Sequence, residues 1–182
     1  MAQGPVTYKE CGIALHSAVT AAGHAIWNEN GVWLADDPVA VQAIINGFDP
    51  LTQPRADKNA AIGVVFAVKF ASGFSYVGSD SVRRTFQLDA NSQFAIDVQA
   101  NVSLGSIMAG EPWDSTSYFI AADNSHMPTS TAISMRNFAL AVRSYCSAII
   151  LRNRALKDAV IAAKSHADLD AIDPTSGWPV AP

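Results

Sequence analysis

From Thr131 to about Ser165 the chain contains neither glycine nor proline, so nothing in its backbone chemistry stops a helix over that whole stretch. Ser130 or Thr131 supplies a capping hydroxyl at its start. About 35 residues rising ~1.5 Å each give roughly 50 Å of helix. Its apolar stripe is Met135, Phe138, Val142, Tyr145, Ile149, Leu156 and Val160. Within it Met135, Val142, Ile149 and Leu156 recur every seventh residue, the spacing of a coiled-coil or bundle seam. A helix of that length in a chain of 182 residues must overhang its own core or pack against another polypeptide. Met135, Phe138, Val142, Ile149 and Leu156 are therefore the expected interface, and the chain is expected to form homo-oligomers.

The remaining elements are shorter. Val6 to Ser17 has scattered apolar residues and suggests an extended arm or short strand. Asn30-Gly31 between Ala25–Glu29 and Val32–Ala35 predicts a hairpin with a type I′ turn, pairing Trp27 with Leu34 and Asn28 with Trp33. Asp37 and Pro38 then open a short helix, as cap and first residue, that stops at Asn46-Gly47. Phe48 to Pro54, with two prolines, reads as a linker. A helix from about Ala56 to Ala71 carries Ile62, Val65, Phe66, Lys69 and Phe70 on one stripe and ends at Gly73. Phe74–Tyr76 and Arg84–Leu88 alternate as two strands around the turn Gly78–Ser81. Asp89 caps a third helix to about Leu104, with Phe94, Val98 and Val102 on one face, broken by Gly105, Gly110 and Pro112. Ser117–Ala121 and His126–Thr129 form a last hairpin, and Pro174 forbids helix beyond Asp173. Each module thus sets a hairpin with aromatics before a capped helix. The fold class is α+β, with a small N-terminal β-hairpin–helix module over residues 1–50. A helix-rich domain over residues 55–182 follows, with short β-hairpins and a long C-terminal helix.

Composition narrows the function. Hydrophobic residues are 49% and charged residues 15%, against about a quarter charged in ordinary soluble domains. So little charged surface leans towards life inside an assembly. The net charge is −4, and Arg152, Arg154, Lys157 and Lys164 are the wet side of a helix rather than a phosphate-binding patch, so no nucleic acid is expected. No apolar run approaches the roughly 18–20 residues of a membrane span, and Met1 to Glu10 lacks the pattern of a secretory signal. Synthesis and solubility in a cytoplasm are expected. Cys11 and Cys146 have no CxxC spacing, and His16, His24, His126 and His166 have no helical metal-ligand partners, so neither cofactor nor metal is expected. No GxSxG elbow or phosphate-binding glycine loop is present, and Asp36-Asp37 before Pro38 is a helix cap rather than a carboxylate pair. The chain is expected not to be an enzyme. Trp113, flanked by Glu111 and Asp114, could line a sugar-binding surface or anchor its hairpin, and the anchor is favoured. Trp27 and Trp33 suit either interface anchors or the module's own core.

A resemblance rests on ordered motifs over residues 58–179. Helix is followed by Phe74-Ser75-Tyr76, a turn, Thr85-Phe86-Gln87-Leu88-Asp89 and Ser92. Then come a helix, Trp113, Phe119 with Asp123-Asn124, Met127-Pro128-Thr129, and a long helix ending in Ala171-Ile172 and Gly177-Trp178-Pro179. The order resembles a domain of unknown function found in tail-fibre and baseplate-associated proteins of tailed bacteriophages. The turn Val77–Arg84 is longer and more basic than that pattern, and Met127-Pro128 replaces β-branched residues. The resemblance implies a structural virion component, a baseplate or tail-fibre adaptor working by protein–protein assembly. It implies other tail proteins as partners and favours a trimer, and it offers no catalytic residues. A fibre-assembly chaperone and a carbohydrate-binding module of a receptor-binding fibre are the alternatives.

Overall fold

The computed structural model describes residues 3–9 and 12–180. Its elements are β1 (Gly4–Pro5), α1 (Gly12–Ala21), β2 (Ile26–Glu29), β3 (Val32–Ala35), α2 (Pro38–Gly47), α3 (Thr52–Ala71), β4 (Phe74–Val77), β5 (Arg83–Phe86), α4 (Ala90–Ala109), β6 (Tyr118–Ile120), β7 (His126–Pro128), α5 (Ala132–Ala162) and α6 (His166–Asp170). This is the α+β class with a long C-terminal helix and short antiparallel strand pairs. The chain divides into two compact units, residues 1–56 with 164–166, and residues 57–163 with 167–182.

In the first unit the hairpin follows its sequence closely. Trp27 pairs with Leu34 and Asn28 with Trp33. Asn30 (φ 52°) and Gly31 (φ 85°) hold the positive φ values of the type I′ turn. β1 adds a third strand beside β3. Asp37 caps α2 by accepting from the Ala40 N–H at 3.1 Å. The expected arm over Val6–Ser17 is instead largely replaced by α1. Alanines at 14, 18 and 21 favour helix, and Leu15 and Val19, four residues apart, bury one side. Gly23 (φ 81°) ends α1 in a Schellman motif, with Gly23 N–H on Thr20 O at 2.9 Å and His24 N–H on Val19 O at 3.1 Å. Leu15, Val19, Ala35, Val41 and Ile45 form the unit's buried core.

The expected linker is also shorter than its two prolines suggest. The Asp49 carboxylate accepts from the Leu51 N–H at 2.9 Å and binds Arg55 at 2.6 Å, and Arg55 N–H donates to Leu51 O at 2.8 Å. α3 therefore begins at Thr52. Pro54 lies in its first turn, where the missing N–H has no helical partner to lose.

The second unit is organised by one ring. Phe138 of α5 is fully buried and meets Phe86 at 4.6 Å, Tyr76 at 5.2 Å and Phe119 at 5.4 Å between centroids. Both hairpins thus hang on a single residue of the long helix. β4 and β5 pair Phe74 with Phe86, and Gly73 makes the entry possible. Its φ is 75°, and a Cβ there would lie 2.5 Å from Phe86 O.

α4 departs from expectation at its end. It runs through Gly105 to Ala109 and stops at Gly110 (φ 67°). A lone glycine costs a helix only about 1 kcal/mol relative to alanine, which its neighbours outweigh. Its buried residues are Ile96 and Ser103, whereas Phe94, Val98 and Val102 are exposed on the opposite side. α5 is a single helix of 31 residues: a capping box joins Thr131 and Ser134 at its start, and it ends at Ala162, where Ala163 turns to an extended conformation (ψ 131°). The tail folds back on it. Arg152 donates to Ser176 O through Nε at 3.1 Å and Nη2 at 2.9 Å, Trp178 is buried, and its Nε1 donates to Pro174 O at 2.8 Å. Arg152 is therefore a tail anchor as well as part of a polar face.

Candidate interaction surface

The heptad row is not a free surface. Met135, Phe138, Val142, Ile149 and Leu156 are each 4% exposed or less within the single chain. The physical reason is topological: the chain's own hairpins and α4 return to the apolar stripe of α5, so the period of seven reports an internal seam. Trp33 lies on the helix-facing side of its sheet, stacked on Tyr8 at 3.9 Å with His16 edge-on at 5.4 Å. Trp27 is half-buried on the opposite side of the hairpin, with Leu34. Trp113 is half-buried, and its Nε1 donates to Thr129 O at 2.6 Å. That bond ties the loop after α4 to the end of β7, the anchoring role. Cys11 lies outside the described residues.

The second unit leaves apolar residues exposed on α3 and α5 as well as on α4, and those on the outward face of α4 stand beside the β6–β7 hairpin. Phe94 is 70% exposed, and Val98, Val102, Tyr118 and Ile120 are each at least 40% exposed. Between α4 and β6 lies a groove of about 770 Å³, lined by Phe94, Ala95, Val98, Phe119 and Ile120 together with the amides of Gln87, Asn91, Gln99 and Asn124. No Asp, Glu, Lys, Arg or His lines it. The Tyr118 ring stacks on His126 at 3.9 Å, which fixes it on the outer face of the hairpin. A second recess of about 410 Å³ continues along the same side of α4 past Gln99 to Val102, Gly105, Ser106 and Trp113. Glu111 and Asp114 sit at that end. The sequence pattern contains both signals, the four-residue spacing of Phe94, Val98 and Val102 and the alternation of Ser117–Ala121. It does not say which way the helix faces.

The ionisable groups serve turns. The Thr116 hydroxyl, 2.7 Å from Asp114, and then the Thr116 N–H hold that carboxyl below its ordinary range. Asp173 is held down likewise, by the Thr175 hydroxyl first, and Asp89 by the Ser92 hydroxyl at the cap of α4. Asp80 is lowered chiefly by its two-point contact with the Arg84 guanidinium, at 2.7 and 2.9 Å. His24 lies 3.6 Å from Asp36, whose carboxyl also accepts from the Asp37 N–H at 2.8 Å. Among the described residues no three of His, Cys, Asp and Glu come together as a metal site, and no helix is long and apolar enough to cross a membrane. Burial pushes the Cys146 thiol upward, towards an inert core residue. The surface offers contact area and backbone hydrogen bonding; charge plays little part in it.

No curated protein and no solved structure matches the chain significantly. A family model does match, over residues 53–176, two thirds of the length and all the elements from α3 to the tail turn. The chain belongs to the family described as Domain of unknown function (DUF4376).

Proposed function

We propose that the protein is a structural, non-enzymatic component of a phage tail, an adaptor of the baseplate or tail fibre that works by binding other tail proteins. The observation that carries the assembly half of this reading is the uncharged apolar face of α4 and β6. Phe94, Val98, Tyr118 and Ile120 are exposed around a groove whose lining carries no formal charge. Scattered exposed apolar residues are ordinary, but a grouped set rimmed by amides marks an interaction surface. The tail context rests on the motif order from Phe74 to Pro179. The first unit, with Trp27 half-exposed on its hairpin, is the part we assign to docking on a tail component. Homo-oligomerisation, a trimer first, is part of the proposal, but its surface moves from the α5 row to the α4 face.

Mass spectrometry of purified virions tests the tail assignment: a structural part is retained in stoichiometric amount. Absence from virions, with presence in lysates, transfers the assignment to an assembly chaperone. A second reading has one observation of its own, the recess where Trp113 meets Glu111 and Asp114. Glycan-array binding that Trp113→Ala abolishes would establish a carbohydrate module instead, and a blank array removes it.

A further inference from the structure

The groove has a floor that names its occupant. In the β6–β7 hairpin the Thr129 N–H donates to Ser117 O at 2.9 Å and the Ala121 N–H to Ser125 O at 2.9 Å. With Phe119 opposite Met127, the residues whose backbone faces β7 are Ser117, Phe119 and Ala121. Antiparallel ladders alternate, so Tyr118 and Ile120 point their N–H and C=O groups away from β7. The next residue of that parity, Ala122, shows where this edge looks: its N–H donates to Thr85 O of β5 at 2.8 Å. β5 and β6 touch there, and the groove is lined on one side by Tyr118–Ala122 and on the other by Gln87, Phe94 and Val98.

The two edges of this hairpin are treated differently. On β7 the outward position opposite Tyr118 is Pro128, which has no N–H to offer. On β6 nothing blunts the edge. It carries no proline, no lysine and no bulge, although natural sheets normally protect an edge strand by such means. An unprotected edge at the bottom of an uncharged groove is a template for one more strand.

We propose that β6 receives an extended, uncharged segment of another polypeptide as an added strand, lying in the groove between β6 and α4. This deepens the assembly reading above and rests on it. The occupant is a single strand rather than the face of a second copy, because the edge lies beside α4. A strand pairs at about 4.8 Å from its neighbour through backbone groups set in one line, which the edge of β6 offers and a helical face does not use. The length fits too. The α4 side of the two recesses runs from Asn91 to Ser106. At ~1.5 Å per helical residue that is roughly 22 Å, or about seven extended residues at ~3.3 Å each. Alternate side chains of the segment would meet Phe94 and Val98. The amides of Gln87, Asn91 and Gln99 would meet its polar positions. A charged segment would find no counter-charge in the main groove.

The test uses the full chain and a displayed random heptapeptide library, with the selected peptides then made synthetically. Uncharged sequences are expected to be enriched, and their binding is expected to shift the Tyr118 and Ile120 amide resonances in 15N spectra. Ile120→Pro removes an outward N–H while leaving the bonds to β7, and should weaken binding at least tenfold. Peptides N-methylated at alternate amides give the same loss in one of the two registers without altering the protein, so the result does not hinge on how the proline variant folds. The proposal is overturned if no sequence is enriched over the Ile120→Pro protein. It is equally overturned if N-methylation in both registers leaves affinity intact, or if binding leaves those two amides unmoved. Virion mass spectrometry is independent: a tail protein that selects no peptide refutes strand addition alone, whereas a peptide binder missing from virions refutes the tail assignment alone.

Discussion

Two phenylalanines of similar sequence context are predicted to behave oppositely on truncation, and the contrast tests which side of each helix is core. Phe138→Ala removes a fully buried ring that touches Tyr76, Phe86 and Phe119 from both hairpins. Large-to-small changes of this kind cost about 3–5 kcal/mol, and the upper half of that range is expected because three separate elements lose one shared contact. Against a domain stability of about 5–15 kcal/mol, that is a large fraction. With a urea m-value of about 1–3 kcal/mol/M, a loss of ~4 kcal/mol moves the midpoint by roughly 2 M for a central m. Phe94→Ala removes a ring that is 70% exposed, and surface truncations of this kind stay within about 0.5 kcal/mol. Urea unfolding of both variants, followed by tryptophan fluorescence and circular dichroism, reads the difference directly. Equal midpoint shifts would refute the assigned orientation of α4. A Phe138→Ala shift below ~0.5 M would refute the hub role of that ring.

Gly73→Ala should destabilise by more than the 1–2 kcal/mol typical of a forced left-handed residue, because its Cβ also meets Phe86 O. Gly31→Ala, at a similar φ with open space around it, should cost only that typical amount, and equal urea midpoints would refute the steric part. Arg152→Ala frees the tail turn at Ser176, so limited proteolysis should cut after residue 170 faster than in the parent, and an unchanged rate sinks the anchoring role. Asp36, Asp49, Asp80, Asp89, Asp114, Asp123 and Asp173 all have lowered carboxyl pKa values. Each binds its proton more weakly when folded than unfolded. Their stabilisation is thus full above about pH 4, the unfolded aspartate value, and fades as pH falls through the lower folded values. The urea midpoint should fall as pH drops below about 4, less steeply in Asp173→Asn, and a flat profile there would contradict the turn assignments.

Much of the fold is legible in local chemistry. Asn30-Gly31 specifies its turn, Asp37, Asp89 and Thr131 specify their caps, and the alternation around Phe74 and Phe86 specifies its pair, because each signal acts within a few residues. α1 escapes notice because its stripe is two residues, Leu15 and Val19, among small polar neighbours, while Ile13 misleads by being exposed. α3 starts early because Asp49 and Leu51 organise a turn that proline content alone would forbid. The orientation of α4 escapes for another reason. Two faces compete, one large and apolar and one small, built on Ala100 and Ser103. The second face also carries the buried Ile96, and packing against α5 chooses it.

The same competition explains why the uncharged apolar groove lies elsewhere than the heptad row suggests. Periodicity measures how apolar residues are distributed round a helix; it carries no information on whether the covering surface comes from the same chain. In α5 the chain covers its own row, since two hairpins converge on Phe138 and α4 packs along the helix. Once α5 is satisfied internally, burial of Phe94, Val98 and Val102 would need a further layer. None of the remaining elements provides it, because these residues stay exposed beside Tyr118 and Ile120. The apolar excess visible in the composition is spread over exposed faces of α3, α4, α5 and β6, and its α4–β6 part borders the uncharged groove. A leucine or glutamate scan of α5 would perturb folding first and association only as a consequence. A scan of the α4 face, with Val98→Asp as its most direct member, changes association while leaving the urea midpoint in place. Reversal of those two outcomes would return the interface to the long helix.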